Sequence, residues 1–75
     1  MDEANSGWKR RLEKAKLNSD YIKLLFQYPG REKVIVKRGF VLECSDNSFD
    51  FNEDIDGEAT YSYNYLVEVI VEARR

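Results

Sequence analysis

The chain has 75 residues, a formal net charge of −2, no histidine and a single cysteine, Cys44. This length permits one domain with a thin core, of the kind often reinforced by a metal, disulfides or oligomerisation. The composition excludes an intrachain disulfide, histidine-based catalysis and the common Cys/His zinc sites, and no apolar run approaches the ~18 residues that span a bilayer.

The start of the chain also lacks the apolar centre of a signal peptide, so a soluble cytoplasmic protein is expected. Hydrophobic residues make up 43% and charged residues 35%, the balance of an ordinary folded domain. Cys44 lies in a strand-like stretch, where a lone cysteine is expected to act as a small buried apolar group. The modest net charge hides an asymmetry. Residues 8–40 hold ten basic and three acidic side chains, whereas residues 41–75 hold nine acids and two arginines. Such halves present a basic face to nucleic acid, or attract each other within one molecule or between copies.

In chain order, residues 1–7 read as a flexible lead-in, with Asn5 or Ser6 placed to cap a helix over 8–18. Lysine, arginine, leucine, glutamate and alanine favour helix there, and Trp8, Leu12 and Ala15 fall on one stripe. Asn18-Ser19-Asp20 is the stop. From Tyr21 to Tyr28, Ile22, Leu24, Phe26 and Tyr28 share one strand face. Pro29-Gly30 supplies the two central positions of a type II turn. The longest apolar-rich run, within a strand from about Glu32 to Cys44, is interrupted by Gly39, which marks a bulge or sharp bend. Short strands follow at 48–52 and 59–63, joined by an acidic turn whose Asp56-Gly57 is a hairpin signal. Asn64-Tyr65 breaks the alternation as a single tight helical turn, and Leu66–Glu72 forms the last strand.

The expected fold is mainly β: an N-terminal α-helix followed by a five-stranded antiparallel, strongly bent, partly open small barrel over residues 21–72, in a single domain. Curling a small sheet in this way reduces edge exposure. With five strands, a glycine bend in the second and a tight turn before the last, the pattern resembles the Src-homology-3-like and Sm-like small barrels. Residues 31–72 also resemble the Veg family of small bacterial proteins. The likeness is carried by Arg31-Glu32-Lys33, Arg38-Gly39-Phe40-Val41-Leu42-Glu43, the acidic hairpin Asn52 to Gly57, and Tyr61-Ser62-Tyr63 leading into Leu66 to Glu72. The Veg resemblance implies regulation rather than catalysis and transfers no functional residue. The Sm resemblance implies an oligomeric ring that binds RNA, although the Asp-x-x-Met-Asn loop of that family is absent and Asp46-Asn47-Ser48 stands in its place.

Three groups of residues are candidates for chemistry. Asn52, Asp54, Asp56 and Gly57 match the opening of a calcium loop, but position 12 is Tyr63 rather than glutamate and the flanks read as strands, so a solvated hairpin is expected and no metal. Lys9, Arg10, Arg11, Lys14, Lys37 and Arg38 form the candidate nucleic-acid surface, with Trp8, Tyr21 and Tyr28 near enough in sequence to stack on bases. The alternative for these cations is an ordinary solvated face or attraction to an acidic protein. Tyr61, Tyr63, Leu66 and Ile70 form a candidate protein interface, since tyrosines and aliphatics supply contact area. No phosphate loop, nucleophile elbow or ligand cluster suggests an enzyme, and no cofactor is expected. The functional expectation is therefore a non-enzymatic binding or regulatory module that contacts a protein partner or a second copy through a sheet edge. Nucleic acid is the alternative partner.

Overall fold

The helix-favouring stretch forms α1 (Glu3–Asn18), which buries Leu12 and Ala15 and packs Trp8 against the same core. The structure, a computed structural model, describes residues 3–72. Met1 and Asp2 of the expected lead-in lie outside the described residues. α1 starts N-terminal to the cap expected at Asn5 or Ser6. Once tertiary contacts hold the turns from Trp8 onward, extending a helix costs the ordering of one residue per hydrogen bond gained. The expected stop holds. Ser19 adopts φ 54°, its N–H donates to the Lys16 carbonyl at 3.1 Å, and the Asp20 N–H donates to the Ala15 carbonyl at 2.9 Å. These two bonds make a Schellman cap with serine in the left-handed position usually given to glycine.

Five antiparallel strands follow: β1 (Ile22–Phe26), β2 (Ile35–Cys44), β3 (Ser48–Glu53), β4 (Gly57–Ser62) and β5 (Leu66–Val71). A 3-10 turn (Tyr63–Tyr65) connects β4 to β5, one residue earlier than the sequence pattern placed it, so Tyr63 leaves the strand it was expected to end. Pro29-Gly30 makes the expected turn. Gly30 has φ 79°, and the Arg31 N–H donates to the Tyr28 carbonyl at 3.1 Å. Gly57 takes φ 83° at the β3–β4 hairpin, a conformation that glycine adopts without strain.

The strands form one sheet in the order β4-β3-β2-β1-β5. β2 serves both halves of it. Residues from Ile35 to Gly39 pair with β1, residues from Gly39 to Cys44 pair with β3, and Gly39 itself pairs with Ile22 on one side and Glu53 on the other. The sheet is strongly curled. Phe26 on β1 and Tyr61 on β4 stand three strands apart in the sheet, yet their rings lie 5.4 Å apart across the interior. β4 and β5 do not pair, so the sheet does not close into a barrel. α1 lies across the interior against β2 and the 3-10 turn. The core is Leu12, Ala15, Ile22, Leu24, Phe26, Val41, Phe49, Phe51, Tyr63, Leu66 and Val69. Stacked and edge-on rings dominate it: Phe49 lies 5.3 Å from Tyr63, 5.8 Å from Tyr61 and 6.3 Å from Phe51.

The bend at Gly39 has a different cause from positive φ, which in glycines is confined to Gly30 and Gly57 among the described residues. A Cβ at Gly39 would stand 2.0 Å from the Asn52 carbonyl oxygen and 2.9 Å from its carbon. The β3 backbone therefore occupies the space a side chain would need. Gly7, inside α1, has open space at its Cβ position. Gly39→Ala is expected to cost about 3 kcal/mol or more, the upper range for forcing atoms into packed space. Gly7→Ala is expected to stabilise the fold by about 0.5–1 kcal/mol by raising helix propensity. Urea unfolding followed by circular dichroism checks the opposite signs of the two substitutions.

Candidate functional site

The two charge-segregated halves meet within the molecule. All five ion pairs among the described residues join a cation from the first half to a carboxylate from the second. Lys9 reaches Asp46 at 2.9 Å, Lys16 reaches Glu43 at 3.1 Å and Lys37 reaches Asp56 at 3.0 Å. Glu72 sits 3.8 Å from both Lys23 and Arg38. The two pairs from Lys9 and Lys16 strap α1 to the β2–β3 hairpin, while Lys37 straps β2 to the β3–β4 turn. The Asp46 bond holds Lys9 above the ordinary lysine range, and the same bond holds the Asp46 carboxyl below its usual value. The Asp56 bond likewise raises Lys37.

Of the six candidate nucleic-acid residues, Lys9, Lys37 and Arg38 are thus spent on internal carboxylates. Arg11 donates from Nη2 to the Val69 carbonyl at 3.0 Å, and its guanidinium carbon lies 5.4 Å from the centre of the Trp8 ring. Arg10 and Lys14 make no ion pair among the described residues. Tyr21 donates its hydroxyl to Asp54, which holds the phenol above its ordinary value, and its ring lies 5.4 Å from Phe40. The acidic turn is similarly committed. Asp54 accepts from Tyr21, Asp56 accepts from Lys37, and the buried Glu53 accepts the Ile55 and Asp56 N–H groups at 3.1 and 2.6 Å. The carboxylates of the calcium-like pattern therefore point at separate partners. No group of three metal-ligating side chains occurs among the described residues.

The four candidate interface residues divide by burial. Tyr63 and Leu66 are core residues at 1% and 4% exposure, Tyr61 is half-buried, and Ile70 is exposed. Tyr63 is expected on a strand face with Tyr61; both rings lie against Phe49 on the core-facing side, although Tyr63 itself begins the 3-10 turn. There its hydroxyl donates to the Ser45 carbonyl at 2.8 Å. Burial pushes its phenol well above the ordinary tyrosine range and also raises the neighbouring half-buried Cys44 thiol. Leu66 points inward because β5 carries an irregularity: Phe26 pairs with Leu66 and Leu25 with Glu68, leaving Val67 as the extra residue. Alternation read from the sequence cannot see this shift of phase.

The exposed apolar surface that results was not assembled from the sequence. Ile22, Leu24 and Phe26 of β1 face the core, so Lys23 and Leu25 face the other way. Register places Val36 and Glu68 beside Leu25, and Arg38 and Ile70 beside Lys23. Val36 is 45% exposed, Val67 48% and Ile70 36%. They form, with the half-buried Leu25, an apolar strip on the outer face of β2, β1 and β5, opposite the face that α1 covers. β5 is also one of the two unpaired ends of the sheet. Comparison with family models, curated proteins and solved structures finds no match to this chain.

Six groups give the fold one pH signature. Lys9, Lys37, Tyr21, Tyr61, Tyr63 and the Cys44 thiol all have raised values in the folded state. A raised group contributes stability fully below its unfolded value and loses it as pH climbs through the folded value. Stability is therefore expected to begin falling where unfolded cysteine titrates, and to fall steadily above about pH 10, where unfolded tyrosine and lysine titrate. Tyr63→Phe removes the most strongly raised phenol and flattens that alkaline loss, while costing about 1 kcal/mol at neutral pH for the missing hydrogen bond. Urea midpoints measured from pH 7 to pH 11 on both proteins read the difference, and parallel curves would discount the role of Tyr63.

Proposed function

We propose that this chain is a non-enzymatic, cytoplasmic binding and regulatory module that works by protein contact along the β5 side of its sheet, through the strand edge or by self-association. The observation that carries this reading is the exposure of Val36, Val67 and Ile70, around the half-buried Leu25, next to an unpaired strand edge. An open edge is a template for an added strand, and contiguous exposed aliphatics mark contact surfaces. The internal pairing of Lys9, Lys37 and Arg38 supports the same reading, because each of those cations has a carboxylate of this chain beside it. The Veg-like segments at residues 31–72 agree with a regulatory role, and the Sm-like pattern agrees with self-association. No helix among the described residues is long and apolar enough to cross a membrane.

Single-stranded RNA or DNA is the alternative partner. Arg10 and Lys14 favour it, as helix cations without an ion pair among the described residues. Light scattering over a concentration series is expected to show self-association that Ile70→Lys or Val36→Lys weakens by about tenfold or more, since burying such a side chain contributes roughly 1.5–3 kcal/mol. Fluorescence anisotropy with single-stranded RNA and DNA at low salt is expected to show no binding. Binding that falls steeply with salt and is lost in the Arg10→Glu, Lys14→Glu double variant would replace the protein-contact reading with the nucleic-acid one.

A further inference from the structure

Backbone direction along β5 decides what its edge offers. The Glu72 N–H donates to the Tyr21 carbonyl at 2.9 Å, and register continues from there with Val71 opposite Ile22, Ile70 opposite Lys23 and Val69 opposite Leu24. Residues in an antiparallel ladder alternate between pairs that exchange hydrogen bonds and pairs that do not. Glu72 and Ile70 thus bond inward to β1, and Val69 and Val71 turn their N–H and C=O groups outward to the open edge. One of those outward groups, the Val69 carbonyl, is taken by the Arg11 guanidinium of α1. Val67, the extra residue of the irregularity, breaks the edge beyond Val69. A cation reaching over a strand edge and a bulge within it are both means of discouraging unselective pairing.

Beside this edge runs a groove of about 280 Å³ between α1 and β5, lined by Arg11, Lys14, Ala15, Asp20, Val69 and Val71. Neither Arg11 nor Lys14 meets a carboxylate among the described residues, whereas Lys9 and Lys16 on the same helix do. The groove therefore combines outward backbone groups, an aliphatic floor and two cations without a counter-ion, with Asp20 as its one acid. A second copy does not supply what is missing. The Glu68 and Glu72 carboxylates of a second β5 lie on the outer face, where Glu72 meets Lys23 and Arg38, so a two-fold pairing of β5 with β5 would bring two Arg11 and two Lys14 side chains together with only the two Asp20 carboxylates beside them, a net excess of positive charge. On β4, the residues on the core-facing side are Ala59 and Tyr61, opposite Phe51 and Phe49, and neither is charged.

We infer that the β5 edge and the α1–β5 groove take an extended acidic segment of another protein as an added strand, with its carboxylates on Arg11 and Lys14 and its backbone on Val69 and Val71. This inference rests on the protein-contact reading above and assigns the edge its partner class. Main-chain bonds give such a complex its affinity and the alternate side chains give it selectivity. Arg11 acts as the selector. While the edge is empty it satisfies the Val69 carbonyl. An incoming carboxylate draws the guanidinium away, and the carbonyl then accepts from the added strand. A basic or neutral strand offers Arg11 nothing in exchange.

The test uses the isotopically labelled full chain, a capped peptide of alternating glutamate and valine, and the matching lysine–valine peptide, followed by NMR titration and amide exchange. The glutamate peptide is expected to bind about tenfold or more tightly than its lysine counterpart, and to slow exchange at the Val69 and Val71 amides. The Arg11→Glu, Lys14→Glu double variant is expected to reverse the preference between the two peptides, a result that simple loss of folding would not produce. Equal affinity for the two peptides, or binding that leaves both amides exchanging as in the free protein, overturns the inference. Either of those results leaves the outer-face contact standing, because light scattering on Ile70→Lys reads it separately.

Discussion

At Gly39 the backbone carbonyl of Asn52 stands where any other residue would carry its Cβ. That closeness lets β2 pair with β1 over one half of its length and with β3 over the other, turning from one to the other at a single residue. The turn swings β3 and β4 over β1, and only then do Phe26, Phe49 and Tyr61 meet as one aromatic core. A flat five-stranded sheet of this length would expose those rings on one open face. The curl also separates β4 from β5, so it leaves the two edges on which the functional argument turns.

The helix completes what the curl begins. Its apolar stripe, Trp8, Leu12 and Ala15, covers the open interior, and its cations reach outward in two directions. Lys9 and Lys16 hold the β2–β3 side, and Arg11 holds the β5 edge. Exposed ion pairs of this kind contribute little individually. Their larger consequence here is electrostatic. Half of the ten cations of the basic half are paired with the chain's own acidic half, which leaves Arg10, Arg11 and Lys14 as the helix cations without a carboxylate among the described residues. Two of these three line the groove beside β5. The outer aliphatic strip lies on the other face of the same strand, so β5 offers two different surfaces, one apolar and one polar with a cationic side.

Most of the architecture was legible in the residues. The helix stripe, the five strands and the Pro29-Gly30 and Asp56-Gly57 turns each depend on local chemistry: side-chain periodicity, the conformational freedom of glycine and the rigidity of proline. Gly39 marked the place of the bend, whose cause is the approach of the Asn52 carbonyl from β3. The candidate surfaces were less legible. Tyr63 and Leu66 were grouped with Ile70 as one interface, and two of those three are core residues. Tyr63 shares the core-facing side with Tyr61, a choice of face that alternation alone does not make, and the extra residue Val67 shifts the phase of β5, which leaves no mark on the composition around it.

Element types, their order and the points where the chain turns follow from the residues in sequence, because those depend on residues near one another. The tertiary structure alone decided which cations are free, which edge is open and which aliphatics stay exposed. Pairings such as Lys9 with Asp46, Glu72 with Lys23 and Arg38, and Arg11 with the Val69 carbonyl join residues far apart in the chain. They exist because the curl at Gly39 brings those residues together, and charge counts along the chain carry no record of that geometry.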